Sequence, residues 1–226
     1  MLLYIIRHGQ PIYNPDSLTP RGHLQAKALA KRLALRGLDK IFVSPMIRAR
    51  QTAQPTCELL GIKPVIEDWT SEALAYKDFS VENPDGTTRW LFGCQNTDIL
   101  NNDTVSRTDW YNAPEFSKAF RAKQGYERIC RCSDEFLKKL GYERDGAVYK
   151  IIKPNDERVA VFCHGGFGIT WLSHLLNIQP QILWAGFEIE HTGVTVLHFG
   201  NNENGICTPR CIAFSDLSHL YADRLV

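Results

Sequence analysis

Leu2-Leu3-Tyr4-Ile5-Ile6-Arg7-His8-Gly9 opens with five apolar residues and then stops on a guanidinium, an imidazole and a glycine. Five consecutive apolar residues rich in isoleucine suit a strand covered on both faces, the central position of an α/β sheet. In such sheets ligands bind in the crevice outside the carboxyl ends of the strands. Arg7 and His8 therefore stand where a binding group would stand, and Gly9 admits a close approach to the backbone. An ion-paired arginine and a core histidine would give the same tripeptide, so the surrounding chain has to separate the two readings.

Working outward, Thr19-Pro20 reads as N-cap and first helical residue of a helix through Leu24, Ala28, Leu29 and Leu33 to a stop at Gly37. Ile41-Phe42-Val43 is a second short strand, ending at Ser44-Pro45 before a helix that starts near Met46. Arg48 falls in that helix's first turn, where unpaired N–H groups and the helix dipole favour an anion. Pro55 is expected to kink or divide this helix. Gly61 ends it, and Pro64 to Glu67 forms a third strand. Strands alternating with helices predict an α/β fold, a three-layer sandwich with a mostly parallel central sheet and helices on both faces. Late in the chain, Arg158 to Cys163 is a further strand. It delivers His164-Gly165-Gly166 to its carboxyl end, and a helix follows through Trp171, Leu172, Leu175 and Leu176. Gly193 to Phe199 and Cys211 to Phe214 read as strands around a Gly200-to-Gly205 turn, with a terminal helix capped by Ser215.

Between about Asp68 and Tyr149 the alternation breaks. Trp69, Trp90 and Trp110, an Asn83-Pro84-Asp85-Gly86 turn and an Asn101-Asn102 loop read as an inserted region in one domain spanning 1–226. Glu115 to Leu140 has apolar residues at helical spacing, interrupted by Gly125, and should pack on the sheet. The aromatic, loop-rich part before it is expected to cap the strand ends and to select the substrate.

The chain has 226 residues, 44% of them hydrophobic, and a formal net charge of +1. Scattered lysines and arginines give no field of the kind that nucleic acid or an anionic membrane requires. No apolar stretch approaches the roughly 18 residues of a membrane span, and no leader pattern is present, so a cytoplasmic protein is expected. Seven cysteines without framework spacing read as reduced thiols, and neither Cys130/Cys132 nor Cys207/Cys211 has the spacing of a zinc site.

Three strand ends now carry Arg7-His8-Gly9, Arg48 and His164-Gly165-Gly166, and in a parallel sheet they converge on one edge. Arginine forks and imidazole donors gathered there suit a phosphate. The chain resembles the histidine phosphatase superfamily, the phosphoglycerate mutase-like proteins of branch 1. The resemblance rests on Arg7-His8-Gly9-Gln10, Leu18-Thr19-Pro20-Arg21-Gly22, Ser44-Pro45-Met46-Ile47-Arg48-Ala49-Arg50-Gln51-Thr52-Ala53 and His164-Gly165-Gly166 in the family's order. It covers residues 1 to about 67 and 158 to about 199.

The resemblance implies that His8 attacks phosphorus and carries a phosphohistidine, which splits one transfer into two easier ones. Arg7, Arg48 and His164 would hold the equatorial oxygens, with Asn14 contributing its amide and Gly165 its backbone. It implies no metal or other cofactor, because the arginines supply the positive charge. Glu72 is the expected proton donor to the leaving alkoxide, with Glu67, Asp68 and Asp78 as rivals. The implied partner is a small phosphorylated substrate, with neither nucleic acid nor membrane, and the sequence leaves room for a homodimer.

Two departures narrow the activity. Pro11 follows Gln10 where mutases place a hydroxyl, and Asn14 to Leu18 is too short for their Gly- and Trp-containing loop. These favour a metal-independent phosphomonoesterase over phosphoglycerate mutase-type transfer. A cysteine phosphatase built on Cys163 fails, because its loop needs arginine where Ile169 stands. A non-catalytic phosphate- or phosphoprotein-binding module remains as the alternative from another class.

Overall fold

The structure is a computed structural model and describes residues 1–225 apart from 84, 92–102, 115, 117 and 120. The chain runs β1 (Leu2–Arg7), a hairpin of β2 (Pro11–Tyr13) and β3 (Asp16–Leu18), α1 (Pro20–Arg36), β4 (Lys40–Val43), α2 (Ile47–Leu60) and β5 (Val65–Ile66). It continues through α3 (Glu72–Phe79), a hairpin of β6 (Ser80–Glu82) and β7 (Thr88–Trp90), α4 (Ala122–Lys139), β8 (Tyr142–Asp145) and β9 (Val148–Ile151). The last third holds β10 (Arg158–Cys163), α5 (Gly165–Leu176), α6 (Pro180–Gly186), β11 (Val194–His198), β12 (Ile206–Cys207), β13 (Arg210–Asp216) and α7 (Ser218–Tyr221).

Six strands form the central sheet in the order β13-β11-β1-β10-β4-β5. β1, β10, β4 and β5 run parallel, while β11 and β13 are antiparallel to their neighbours. The apolar run at the start of the chain is continuous because β1 is covered on both sides. Tyr4 and Ile6 face a layer containing Leu29 and Leu33 of α1 and Ala49 and Ala53 of α2. Leu3 and Ile5 face the opposite layer, with Phe167 and Leu172 of α5 and Phe136 of α4. Each such side chain contributes about 1.5–3 kcal/mol by leaving water. The fold is therefore the expected mostly parallel α/β sandwich, and among the described residues no helix is long and apolar enough to cross a membrane.

Several local expectations are corrected. α2 is not divided at Pro55 but continues from Ile47 to Leu60. The lost backbone bond there is outweighed by packing of Ala49, Thr52, Ala53 and Thr56, all buried. Gly125 does not interrupt its helix but lies inside α4, where an added Cβ would come within 2.4 Å of Asp78 Cβ. Asp78 sits in that gap and is paired with Arg121 and Arg128. The helix begins at Ala122, later than the Glu115 start expected, and Phe120 of the predicted stripe lies outside the described residues, as do Asn101-Asn102 and Cys94. Ser215 does not cap the terminal helix. It lies in β13 and its hydroxyl accepts from Glu190 N at 2.8 Å, while Asp216 Oδ1 accepts from Ser218 N at 2.8 Å. The region from 68 to 149 also holds strands, for β8 pairs with β9, and β9 in turn with β12, in a separate small sheet. The six cysteines among the described residues are unpaired.

Candidate active site

The loop after β1 is pinned before any ligand arrives. Gly9 N donates to Thr52 Oγ1 at 2.9 Å, and that hydroxyl in turn donates to Arg48 O at 2.7 Å. Gly9 and Gly22 let the loop lie directly on the start of α1, since an added Cβ on Gly22 would stand 2.3 Å from Gln10 O. Thr19 caps α1 by accepting from Gly22 N at 3.0 Å and donates to Gln10 Oε1 at 2.9 Å. The Arg-His-Gly-Gln and Thr-Pro-Arg-Gly segments thus occur together because they form one packed unit.

Arg7, His8, Arg48, Glu72, Gly165 and Gly166 line the inner part of a cavity of about 900 Å³. His8 is only 2% exposed. Its Nδ1 lies 2.7 Å from Gly9 O, so it carries the proton and donates to that carbonyl. The Nε2 lone pair is then free of a proton and accepts from Arg48 Nε at 3.2 Å. Burial, reinforced by the Arg48 and Arg7 guanidiniums, pushes the imidazole down to about 3, against the Gly9 hydrogen bond that favours the cation. At neutral pH His8 is an uncharged base with its lone pair held in a cationic pocket.

Arg48 is buried and anchored by Asp16, whose Oδ1 accepts from Nη1 at 2.8 Å. Asp16 Oδ2 also accepts from Ile47 N at 2.8 Å, so this aspartate caps α2 from the β2–β3 hairpin. Arg7 donates from Nη1 to Ile189 O at 2.5 Å, and its buried Nε has no partner. His164 lies fully buried beside His8, ring centroids 5.1 Å apart, and does not line the cavity wall. Its Nε2 is 2.7 Å from Ser44 Oγ, which accepts from Met46 N at 3.5 Å and so directs its own proton to the ring. Nδ1 is then the protonated nitrogen, buried without a partner. Burial holds this imidazole well below its ordinary value, with His8, Arg48 and Arg7 adding to the effect.

Glu72, at the start of α3, points its carboxylate at the first turn of α5. Oε1 accepts from Gly166 N at 3.1 Å and Oε2 from Phe167 N at 3.3 Å. Burial of the carboxyl group raises it to about 7, opposed by those two hydrogen bonds and by Arg48 and Arg7. The rival acids are engaged elsewhere. Glu67 accepts from Trp69 Nε1, Asp78 is ion-paired, and Asp68 is not among the residues lining the cavity.

Asn14 is exposed at the turn of the β2–β3 hairpin and does not line the cavity. The hairpin turns its tip outward and presents Tyr13 instead, whose ring lies 5.4 Å from the Arg48 guanidinium carbon. The tryptophans divide. Trp110 is buried against Trp184, and Trp69 packs edge-on to Phe167 and Trp171. Trp90 lines the cavity, with Tyr76 against it at 4.8 Å.

Sequence reasoning missed Asp16, and it missed Glu190 to Gly193. Because β11 runs antiparallel, its first residues lie beside the carboxyl end of β1, with Val194 opposite Ile6. Thr192 N donates to both Arg7 O and His8 O, at 3.1 and 3.2 Å. Thr192 holds a left-handed φ of 58°, unfavourable for a β-branched residue, and its hydroxyl bonds His191 O and His219 Nε2. The His191 ring lies 5.8 Å from His8. The available signal was topological: a strand antiparallel to β1 must begin at the edge where β1 ends.

A family model for the histidine phosphatase superfamily (branch 1) matches residues 3–75. A relative in Hydrogenobacter thermophilus named as a phosphoserine phosphatase is 23% identical over 207 residues, 87% of this chain and 88% of that one. A 2,3-bisphosphoglycerate-dependent phosphoglycerate mutase of Brucella ovis is 31% identical over 103 residues, covering 39% of this chain and 50% of the mutase. Among solved structures, a phosphoserine phosphatase from Entamoeba histolytica in complex with phosphoserine superposes with a TM-score of 0.64 at 20% identity, over 97% of this chain and 98% of that chain. Matching motif, matching fold and the packed His8 loop all liken this chain to branch 1 of the histidine phosphatase superfamily, whose model matches residues 3–75.

Proposed function

We propose that this phosphatase cleaves small phosphomonoesters through a phosphohistidine on His8, without a metal. The observation that carries the reading is the His8 tautomer. Nδ1–H is tied to Gly9 O and Nε2 offers its lone pair inside a pocket built from Arg7 and Arg48. Phosphate oxygens take over the Arg48 Nε donor now on His8 Nε2, together with the unpartnered Arg7 Nε and His164 Nδ1. Nε2 is thereby released to attack phosphorus, while the guanidiniums stabilise the equatorial charge.

Glu72, protonated at neutral pH or just below, gives its proton to the leaving alkoxide. The resulting carboxylate then takes a proton from the water that attacks the phosphohistidine, which returns His8 and releases inorganic phosphate. Rapid acid-free quench during turnover should trap a phosphoryl group on His8 that is stable in base and lost in acid. His8→Ala should lose at least about 10⁴-fold in kcat, as removal of a covalent nucleophile does elsewhere. Equal turnover by wild type and His8→Ala would end this reading.

A further inference from the structure

The cavity is much larger than a phosphate needs, and its outer part has a definite character. Tyr76, Trp90, Trp184, Phe187 and Ile169 form its walls. Among the described residues, the only charged side chain lining it beyond Arg7, Arg48 and Glu72 is Glu188. Both arginines are already committed to the phosphate end. The residues outside the described set contain no lysine or arginine, so no cation comes from them. A second carboxylate or phosphate on the substrate would be desolvated against aromatic rings and beside a like charge.

We infer that the esterified alcohol of the substrate is a ring-bearing, largely apolar group without a negative charge of its own, stacked between Trp90 and Trp184 and passing Glu188. This inference rests on the phosphatase reading for its reaction and on the cavity wall for its specificity. Ring faces and edges recognise a flat group by area and quadrupole geometry, and Glu188 excludes acids while tolerating neutral or cationic substituents.

The test uses three esters of primary alcohols, so that the chemistry at phosphorus is nearly constant: ethyl phosphate, 2-phenylethyl phosphate and 3-phosphoglycerate. With the full chain, kcat/KM for the phenylethyl ester should exceed that for ethyl phosphate by about 10- to 100-fold, the worth of burying one aromatic ring. It should exceed that for 3-phosphoglycerate by more. Trp90→Ala should lower the phenylethyl-to-ethyl ratio about tenfold, and Glu188→Gln should raise 3-phosphoglycerate relative to the other two by about 3- to 10-fold.

Calorimetric binding of the same esters to His8→Ala gives a readout independent of turnover. If 3-phosphoglycerate matches or beats the phenylethyl ester in both assays, the specificity inference falls and the phosphatase mechanism stands. If binding follows the ring but no ester is hydrolysed in a His8-dependent way, the mechanism falls and the specificity inference stands.

Discussion

Replacing Glu72 by Gln tests the proton-donor assignment most directly. With its carboxyl group raised from 4.5 to about 7, Glu72 is about 90% protonated at pH 6 and about 10% at pH 8. Wild-type kcat/KM on an alkyl phosphate should therefore fall about tenfold per pH unit above 7. On the acid side the substrate phosphate's own ionisation at about pH 6 comes first, and the limb set by His8 should appear only near pH 3. Glu72→Gln keeps an acceptor for one α5 N–H but has no proton to give, and should lose about 10²–10⁴-fold on 2-phenylethyl phosphate at pH 6.

4-Nitrophenyl phosphate, whose phenolate departs without a proton, should lose only a few fold. It shares the ionisation of the phosphate, so the ratio of the two substrates isolates Glu72. Stability supplies a second sign. A carboxyl raised by folding stabilises the native state fully below its unfolded value, and that contribution is lost as pH rises through about 7. At about 1.4 kcal/mol per pH unit, the ionised form costs about 3 kcal/mol, so Tm of Glu72→Gln relative to wild type should improve between pH 5 and pH 8. Equal losses on both esters, or a basic limb retained in the variant, would refute the assignment.

Asp16→Ala removes both the anchor of Arg48 and the cap of α2. It should cost about 1–2 kcal/mol in urea unfolding and about tenfold in kcat/KM. Gly125→Ala places a methyl group against Asp78 and should destabilise by about 1–3 kcal/mol, measured by thermal unfolding, with little change in kcat. Thr192→Val keeps the strained φ but strips the hydroxyl from His219 and should cost about 1–3 kcal/mol, whereas Thr192→Ser should stay within about 1 kcal/mol.

The fold was legible because β1 is buried on both faces, which writes itself as an uninterrupted apolar run, and because parallel strands put their functional ends on one edge. That rule predicted that Arg7, His8 and Arg48 would be neighbours, while Glu72 was offered only by the family resemblance; all four line one cavity. Asp16 was not, because its partners, Arg48 and Ile47, lie more than a helix away in sequence and nothing local signals the pairing. Thr192 and His191 escaped because a strand's direction within a mixed sheet is not a local property. The tryptophans read alike in sequence, yet Trp69 and Trp110 fill the interior while Trp90 faces the cavity. Only tertiary contact separates those roles. Pro55 shows the converse, a strong local breaker overruled by packing.

The place of β1 in the sheet bears on the order in which the molecule can assemble. Its neighbours are β10 and β11, with Leu2 opposite Arg158 on one side and His198 on the other. β1 is therefore made well before either of the strands it pairs with. Until about residue 163 has emerged, Leu2 to Ile6 is an apolar segment with two open edges and no partner in register, and one edge stays open until about residue 198. Such long-range closure slows folding and exposes a sticky strand to neighbouring chains. The same segment that carries His8 is thus the one most in need of shielding during synthesis, and catalytic competence arrives only when the final third of the chain closes around it.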